Sequence, residues 1–418
     1  MVSELRPRTN GSVKSPGIAR HGRLRKQGPW GTIFAFIGAS LVVVLVSGAA
    51  LGAIVVAQLS SNIETVALVG ETEGPPPSIG AYEGGFNILI VGSDECENDS
   101  GCGGGREARL NDVNMILHVS ADQTNAVAVS IPRDMVVPIP SCPRDDGSGK
   151  MNSAMSGRPI NESLSYGGLP CVVLTVEKLT GLDIQFAGKI TFQGVIAMTN
   201  AVGGVPVCVN DRVYDRQSGL DLPGAGTYPL LGNDALAFLR TRHGVGDGSD
   251  LTRISSQQVY LSSLVRTLKS NETLSDPFKV YGLAQAATSN MTLSQGFSNP
   301  DTLVSIALAL KNIPLERVTF VQYPGTTGQG GIYSGKVAPV KSKADALFAK
   351  ILADEPFSLA SAGDGRGSEL DPNAPVAAAP TPTASAGASG APVEPEPVLD
   401  VLDIRGQTAA DYTCAIAN

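Results

Sequence analysis

The stretch FNILIVGSD, residues 86–94, indicates the fold of this chain. Its first six residues form an almost continuous apolar run, and so do VNMILHV (113–119) and NAVAVSI (125–131). Runs without regular polar alternation are typical of strands inside a sheet that is covered on both faces. A further strand is predicted at residues 318–322, which read VTFVQ.

Helices are predicted between and after these strands, over residues 171–179, 191–201, 233–239, 252–269 and 344–352. Gly181 ends the first of them and the pair Gly203-Gly204 ends the second. Asn233 is the predicted N-cap of the third. Strands that alternate with helices predict an α/β fold, here a three-layer α/β/α sandwich.

An apolar segment precedes the sheet. Residues 33–57 read IFAFIGASLVVVLVSGAALGAIVVA and contain no charged residue. A length beyond about 20 residues suits one transmembrane helix, whereas the apolar part of a cleaved signal peptide is usually about 7–15 residues. The basic tail, residues 1–32, indicates a cytoplasmic N-terminus. We therefore expect an uncleaved signal anchor in the cell membrane; a buried core helix is the alternative.

Composition divides the rest of the chain. Residues 58–84 end in a Pro/Gly-rich stretch and are predicted to be a juxtamembrane stalk. Residues 85–356 are predicted to form one extracytoplasmic domain. Residues 357–397 are rich in Ala, Pro, Ser and Gly, which is typical of a disordered linker. A C-terminal segment, residues 398–418, carries Cys414.

The six cysteines all follow the apolar segment. An even number of cysteines in an oxidising compartment indicates disulfides, and six cysteines allow 15 connectivities. Of these connectivities, we predict the disulfides Cys96–Cys102, Cys142–Cys171 and Cys208–Cys414. Zinc is disfavoured because the chain has no CxxC and only three histidines.

The net charge argues against nucleic acid as a partner. The chain has a formal net charge of −8, and its N-terminal tail is basic, so the remainder is clearly acidic. Nucleic-acid-binding domains usually carry a basic patch or stripe. We therefore expect no nucleic-acid partner.

Two carboxylates flank the first two strands. Asp94 follows the strand that begins at Phe86, and Asp112 directly precedes Val113. Ligands of open α/β sheets bind beyond the ends of strands, and two carboxylates at a sheet edge can share a hard cation. The alternative is that each aspartate only caps a turn. For the pair we expect a Mg²⁺ site.

Basic and amide side chains also occur near the predicted strand ends: Arg133, Lys150, Asn152, Arg240, Arg242, Arg253 and Gln257. Arg240 and Arg242 share one side if the chain there is extended, and Arg253 and Gln257 share a helix face. Guanidinium groups bind phosphate in a bidentate manner. The residues predict a phosphate site; the alternative is surface ion pairs with Asp134, Asp247 or Asp250.

Other residues are candidates for proton or acyl chemistry. His243 lies beside two arginines, which disfavour its charged form; it is a candidate base or a packing residue. Ser93 lacks the G-x-S-x-G elbow of a nucleophilic serine. The general base is left open between Asp94, Asp134 and no dedicated base.

Several separated motifs, in order along the chain, resemble the LytR-CpsA-Psr family of cell-wall glycopolymer transferases. They are NILIVGSD (87–94), DVNMILHV (112–119), VSIPRD (129–134), KMN (150–152), TVEKLTGL (175–182), AVGGVPV (201–207), ALAFLRTRHGVGDGSDLTRISSQQ (235–258) and VTFVQYP (318–324). The resemblance implies a mixed central sheet. The chain departs from the family at Cys96, Leu110 and Ser256, where the family often has arginines.

The resemblance also implies a function. Asp94 and Asp112 would bind Mg²⁺ together with the pyrophosphate of a polyprenyl-linked glycopolymer. Catalysis is then expected from these two aspartates with Arg133, Arg240 and Arg242, and substrate binding from Lys150, Asn152, Arg253 and Gln257. The implied enzyme is a Mg²⁺-dependent phosphotransferase that moves the glycopolymer to a peptidoglycan sugar hydroxyl in cell-wall assembly.

Two other functions remain open at this stage. The same site with water as the acceptor would be a polyprenyl-pyrophosphate phosphatase, which the site residues do not distinguish from a transferase. A non-enzymatic envelope protein that binds lipid-linked precursors is the second alternative.

Overall fold

An α/β domain accounts for most of the chain. The computed structural model describes residues 29–61, 63–71, 84–95, 109–270, 273, 276–297, 300–360, 362–363, 365–374 and 399–418. The chain divides into two units, residues 1–55 and 56–418.

The predicted apolar segment is helical. It lies within helix α1 (Pro29–Ser61). Among the described residues, no helix is both long enough and apolar enough to cross a membrane. The signal anchor over residues 33–57 stays a prediction. Residues 1–28 of the predicted basic tail lie outside the described residues.

The helices of the second unit, within the described residues, are α2 (Ser163–Thr180), α3 (Phe192–Val202), α4 (Gly232–Arg240), α5 (Asp250–Lys269), α6 (Pro277–Asn290), α7 (Pro300–Asn312) and α8 (Lys341–Leu352). Short 3₁₀ turns occur at Ile160–Glu162, Gln295–Phe297, Leu315–Arg317 and Gly331–Tyr333.

The strands of the described residues are, in chain order, β1 (Glu64–Val66), β2 (Phe86–Ser93), β3 (Asn111–Val119), β4 (Ala126–Ile131), β5 (Val136–Ile139), β6 (Cys142–Pro143), β7 (Met151–Asn152), β8 (Met155–Pro159), β9 (Phe186–Ile190), β10 (Val205–Val209), β11 (Val213–Asp215), β12 (Leu220–Leu222), β13 (Gly226–Leu230), β14 (Met291–Ser294), β15 (Val318–Gln322), β16 (Gly325–Thr326), β17 (Ala338–Pro339), β18 (Phe357–Leu359), β19 (Ser368–Leu370), β20 (Asp400–Leu402), β21 (Gly406–Thr408) and β22 (Thr413–Ala415).

The central sheet is mixed, as the resemblance implies. Its strand order is β1-β14-β9-β2-β3-β4-β15-β21. β3 runs antiparallel to both β2 and β4, whereas β9 pairs parallel with β2 and β15 pairs parallel with β4. The C-terminal ends of β2 and β4 therefore lie at the same edge of the sheet as the N-terminal end of β3.

Helices cover both faces of this sheet. Leu89 and Val91 of β2 pack with α2 and α8 in one core, whereas Phe86 and Ile88 pack with α7 in another. Successive side chains of a strand point to opposite faces, so a strand buried on both sides has a continuous apolar sequence. The three-layer α/β/α sandwich is confirmed.

The helices begin within three residues of the predicted starts, except for α2. Asn233 is not an N-cap: α4 already begins at Gly232, and Leu231 precedes it without a side-chain cap. α2 begins eight residues before the predicted residue 171 and contains a kink at Gly167 and Gly168. Glycine disfavours helix, so the pattern before the kink did not predict one.

The predicted domain boundaries are wrong at both ends. The stalk prediction included Glu64–Val66, but this segment is β1 and pairs with β14 of the central sheet. The linker prediction began at residue 357, but β18 and β19 follow that residue. Strands of three residues are too short to show a periodic pattern. Residues 375–397 of the predicted linker lie outside the described residues.

The C-terminal segment belongs to the domain. β21 is an edge strand of the central sheet, and β22 lies between β10 and β19 in a second sheet of order β13-β10-β22-β19. Cys208 and Cys414 face each other across β10 and β22 and form a disulfide. Cys142 and Cys171 form another. Both predicted pairings are confirmed; Cys96 and Cys102 lie outside the described residues.

Candidate active site

Polar side chains meet where β2, β3 and β4 share an edge of the sheet. Ser93 ends β2, Asp112 lies near the start of β3 and Arg133 follows β4. The register of β2 and β3 passes from Gly92 opposite Val113 to Ser93 opposite Asn111, so that Asp112 is the extra residue of a β-bulge. A bulge redirects a side chain and is frequent next to active sites.

Three arginines converge on two carboxylates at this edge; we call Arg133, Arg242 and Arg253 the arginine cluster. Arg133 donates to the Asp112 carboxylate through Nη1. Asp250 Oδ1 lies 2.6 Å from Arg253 Nη2 and 3.1 Å from Arg242 Nη2. Arg133 Nε lies 3.8 Å from the same oxygen. One carboxylate oxygen therefore holds the three guanidinium groups together.

The ion-pair network has an excess of positive charge. Asp134 lies 3.5 Å from Arg242 and 3.3 Å from Lys336. Three carboxylates, those of Asp112, Asp134 and Asp250, thus face four cationic groups, which leaves one net positive charge. A partly buried site with excess positive charge attracts anions.

Some donors of the arginine cluster have no partner. The Nε–H groups of Arg133 and Arg253 are buried and have no acceptor among the described residues, and the buried Asp250 Oδ2 has no donor there. Buried donors without partners are costly. The Nε groups are therefore available to oxygens of a bound anion.

Burial and neighbouring charges shift the pKa values of two members of the arginine cluster. Burial lowers the pKa of Arg133, but three neighbouring carboxylates outweigh burial and raise it above its ordinary value. Burial lowers the pKa of Arg253 and outweighs the attraction of Asp250. A guanidinium group nevertheless remains protonated in proteins.

The arginine cluster lies against a cavity of about 650 Å³. Polar lining residues include Ser93, Asp112, Ser130, Asp215 and the cluster, and the apolar lining residues are Ile90, Val113, Met115, Ile190, Phe192, Val195, Met198, Leu236, Leu239, Leu261 and Leu264. Helix α5 carries Arg253, Gln257, Leu261 and Leu264 on one face. The cavity wall therefore changes from charged to apolar over about 16 Å along this helix.

Arg240 and Gln257 also line the cavity. The Arg240 guanidinium stacks over the ring of Phe192, 4.4 Å from its centroid. Gln257 donates through Nε2 to the carbonyl of Leu239 at 2.8 Å, so it also fixes the end of α4. The structure thus brings five predicted residues, Arg133, Arg240, Arg242, Arg253 and Gln257, to one cavity with Asp112.

Other predicted residues lie elsewhere. Asp94 accepts from the backbone N–H of Leu110 at 2.9 Å and stands beside the cavity without lining it. Asn152 donates to the carbonyl of Tyr166. Lys150 and His243 are exposed. Lys150, Asn152 and His243 do not line the cavity.

Asp215 is a site residue that sequence reasoning missed. It is buried at the end of β11, and its Oδ2 accepts from the Thr241 hydroxyl at 2.8 Å and from the Arg242 backbone N–H at 3.0 Å. The carboxylate thereby sets the direction of the chain that carries Arg242. The missed signal was an aspartate at the end of a short strand, which is common at turns.

The donor set suits a hard cation. Asp112 lines the cavity, and its side chain is 20% exposed and forms an ion pair with Arg133. Asp94 directly follows β2, the strand next to β3 in the sheet. Carboxylate oxygens are ligands that Mg²⁺ prefers. Asp112 and Asp94 are the carboxylates that would hold the cation that the resemblance implies.

The fold and this site define an α/β protein with an arginine-lined cavity. Residues 56–348 match the LytR_cpsA_psr family model, so the chain belongs to this family. It is 31% identical over 359 residues to the cell wall biosynthesis protein LcpA of Corynebacterium glutamicum, which covers 77% of this chain and 65% of the relative.

Two further similarities are more distant. The chain is 29% identical over 190 residues to the polyisoprenyl-teichoic acid–peptidoglycan teichoic acid transferase TagT of Bacillus subtilis, covering 44% of this chain and 53% of TagT. The structure of a LytR-Csp2A-Psr enzyme from Actinomyces oris superposes with a TM-score of 0.52 at 20% identity, over 69% of this chain and 95% of that one. The chain therefore spans about half to two thirds of these curated relatives, and the structural likeness supports the fold alone.

Proposed function

We propose that this protein is a phosphotransferase that moves a glycopolymer from a polyprenyl pyrophosphate to a sugar hydroxyl of peptidoglycan. The cavity carries this proposal because its wall changes from the arginine cluster to apolar side chains along α5. A polyprenyl pyrophosphate has the same division into an anionic head and a hydrocarbon chain. The similarity to TagT, a polyisoprenyl-teichoic acid–peptidoglycan teichoic acid transferase, supports this substrate class.

The reaction needs little covalent chemistry from the protein. The acceptor hydroxyl oxygen attacks the glycopolymer-side phosphorus and forms a new phosphate ester. The bridging P–O bond breaks, and polyprenyl phosphate leaves with the bonding electron pair. The hydroxyl proton passes to Asp94, to Asp134 or to solvent. Such reactions depend mainly on positioning and on neutralising the charge of the transition state.

Each member of the arginine cluster has a role in this proposal. Arg133 and Arg253 present buried Nε groups without partners to the phosphate oxygens. Arg242 is held between Asp134 and Asp250, and its backbone is fixed by Asp215. The donors are thus oriented before substrate binds, which is the condition for electrostatic catalysis.

Asp94 and Asp112 would hold Mg²⁺. When bound, the cation would neutralise negative charge on the pyrophosphate. Asp112 is now paired with Arg133. Placement of this chemistry outside the cytoplasm rests on the signal anchor proposed for residues 33–57.

The test uses the full-length protein with a sugar-linked polyprenyl pyrophosphate, Mg²⁺ and peptidoglycan fragments. We expect release of polyprenyl phosphate together with a new phosphate-linked sugar on the peptidoglycan. Arg133→Ala and Arg253→Ala should each lower kcat by about 100-fold or more, as for loss of one donor to a developing anion. Arg212→Ala is the matched control because Arg212 forms an exposed ion pair with Asp221.

The product decides between the open alternatives. Polyprenyl phosphate released without transfer to peptidoglycan would identify a phosphatase. Binding of substrate with no turnover in the wild type would identify a precursor-binding protein. Equal activity of Arg133→Ala and Arg212→Ala would reject the arginine cluster as the site of the reaction.

A further inference from the structure

Tyr260 has a polar group that the proposed mechanism does not use. The residue lies on α5, three positions after Gln257, and lines the cavity. Its side chain is 2% exposed, and its ring packs 6.4 Å from the ring of Phe238. The hydroxyl is buried and has no hydrogen-bond partner among the described residues.

A buried hydroxyl without a partner loses its hydrogen bonds to water and gains none in return, which costs about 1–3 kcal/mol. Buried tyrosine hydroxyls usually find a partner. A phenylalanine would fill the same space at no such cost. The hydroxyl is therefore explained by an acceptor that arrives with the ligand.

The position of Tyr260 narrows the chemistry of that acceptor. Along α5, Tyr260 lies after the cavity residues Arg253 and Gln257 and before Leu261 and Leu264. Leu261 and Leu264 continue the same face as apolar wall. Tyr260 thus stands where the charged part of the cavity becomes apolar.

We propose that the Tyr260 hydroxyl donates a hydrogen bond to the ester oxygen that joins the phosphate of a prenyl phosphate to its hydrocarbon chain. The inference rests on the proposed function, because it assigns the head group to the arginine cluster and the chain to the apolar wall. Tyr260 then binds the oxygen that joins the head group to the hydrocarbon chain. A prenyl phosphate has this oxygen, and inorganic pyrophosphate does not.

The hydroxyl of Tyr260 is neutral, and can donate a hydrogen bond, over the whole physiological pH range. Burial raises the pKa of Tyr260 above its ordinary value. The group therefore stays protonated and remains a donor.

Tyr260→Phe tests the inference, with the full-length protein in lipid nanodiscs and two probes, geranylgeranyl monophosphate and inorganic pyrophosphate. We expect Tyr260→Phe to bind the prenyl phosphate about tenfold more weakly, as for loss of one hydrogen bond to a charged group. Pyrophosphate binding should change less than twofold. Without ligand, the variant should unfold at the same temperature as the wild type or higher.

Tyr323→Phe is the matched control, because Tyr323 is also buried, at 3% exposure, but does not line the cavity. It should bind both probes as the wild type does. Arg253→Ala should lose both probes.

The outcomes separate this inference from the proposed function. Wild-type affinity of Tyr260→Phe for the prenyl phosphate, with both probes lost in Arg253→Ala, would overturn the inference and leave the proposed function standing. Equal losses of both probes in Tyr260→Phe would also overturn it, because the hydroxyl would then act on the arginine cluster. A wild type that binds neither probe would overturn both.

Discussion

Asp250 shows how one residue organises the site. Its Oδ1 atom is the shared acceptor of the arginine cluster, at 2.6 Å from Arg253 and 3.1 Å from Arg242. Asp250 and Arg253 are both buried, at 7% and 4% exposure. Removing one member of a buried ion pair leaves the other charge uncompensated, whereas exposed pairs contribute little.

We therefore expect Asp250→Asn to lower the free energy of unfolding by about 3–5 kcal/mol. Urea unfolding at neutral pH measures the change. Asp221→Asn removes the carboxylate of an exposed pair with Arg212 and should change the free energy of unfolding by less than about 1 kcal/mol. Equal stability of the two variants would mean that Asp250 does not hold the arginine cluster.

The pKa of Asp215 predicts that the free energy of unfolding falls in acid. Burial raises the pKa of Asp215, but hydrogen bonds from the Arg242 backbone, Thr241 and the backbone of Gln217 outweigh burial and hold it below the ordinary value of 3.8. The folded protein therefore binds fewer protons than the unfolded chain in this range. The stabilisation is complete above pH 3.8 and is lost as the pH falls through the lower, folded pKa.

Urea unfolding from about pH 5 to about pH 2.5 should show this loss in the wild type. Asp215→Asn should be less stable at pH 5 and should lack this part of the acid dependence. Asp122→Asn is a useful control because Asp122 also has a lowered pKa but lies in an exposed turn with Thr124. An unchanged acid dependence in Asp215→Asn would contradict the assignment.

Helix α5 joins the cavity to the C-terminal segment. One face carries Arg253, Gln257 and Tyr260 to the cavity. On another side, the fully buried Gln407 of β21 donates to the Gln258 carbonyl at 3.2 Å and to Ser262 Oγ at 2.7 Å. The strand thus fixes the helix whose side chains form the site.

Gln407→Ala should lower the free energy of unfolding by about 3 kcal/mol, because it leaves a void and buried groups of α5 without partners. Hydrogen exchange of the backbone amides of residues 257–266 should become faster. Gln285→Ala, at an exposed position of α6, should change neither quantity. Unchanged exchange in α5 would show that β21 does not hold the helix.

Strong local patterns predicted the elements of the central sheet, and weak ones did not. The strand at 318–322 was predicted with the bounds of β15, because its continuous apolar run reflects burial on both faces. The bulge at Asp112 depends on the register with β2, which lies in no local pattern. Asp250 looked like a surface partner because burial of a carboxylate depends on the tertiary fold.

At the scale of the molecule, the site depends on residues that are far apart in sequence. Motif order was sufficient to recognise the family and six of the cavity residues. The roles of residues 399–418 were not visible, because strands β21 and β22 have three residues each and their partners lie in distant parts of the chain. Only Cys414 indicated that the segment returns to the domain.

The end of the chain supports the arginine-bearing loop directly. Asn418 donates through its backbone N–H to the Gly244 carbonyl and through Nδ2 to the His243 carbonyl, at 3.1 and 3.0 Å. Gly246 donates to the Ile416 carbonyl at 2.9 Å. His243, Gly244 and Gly246 lie in the loop between Arg242 and the start of α5. The Cys208–Cys414 disulfide ties this end of the chain to β10.

The two described disulfides should therefore differ in their effects. They join residues 206 and 29 positions apart, and the two loops do not overlap. The loop-entropy model assigns about 5 kcal/mol to the first and about 3.5 kcal/mol to the second. Cys208→Ser with Cys414→Ser should thus lower the free energy of unfolding more than Cys142→Ser with Cys171→Ser.

The two double cysteine variants should also differ in their affinity for inorganic pyrophosphate. Loss of Cys208–Cys414 releases the segment that supports the loop after Arg242, so affinity for inorganic pyrophosphate should fall under conditions where the protein is still folded. Loss of Cys142–Cys171 should leave that affinity within about twofold, since these cysteines pack in a separate small core with Ile139. Titration of pyrophosphate into both double variants measures this. Equal affinities would mean that hydrogen bonds alone keep the C-terminal segment in place.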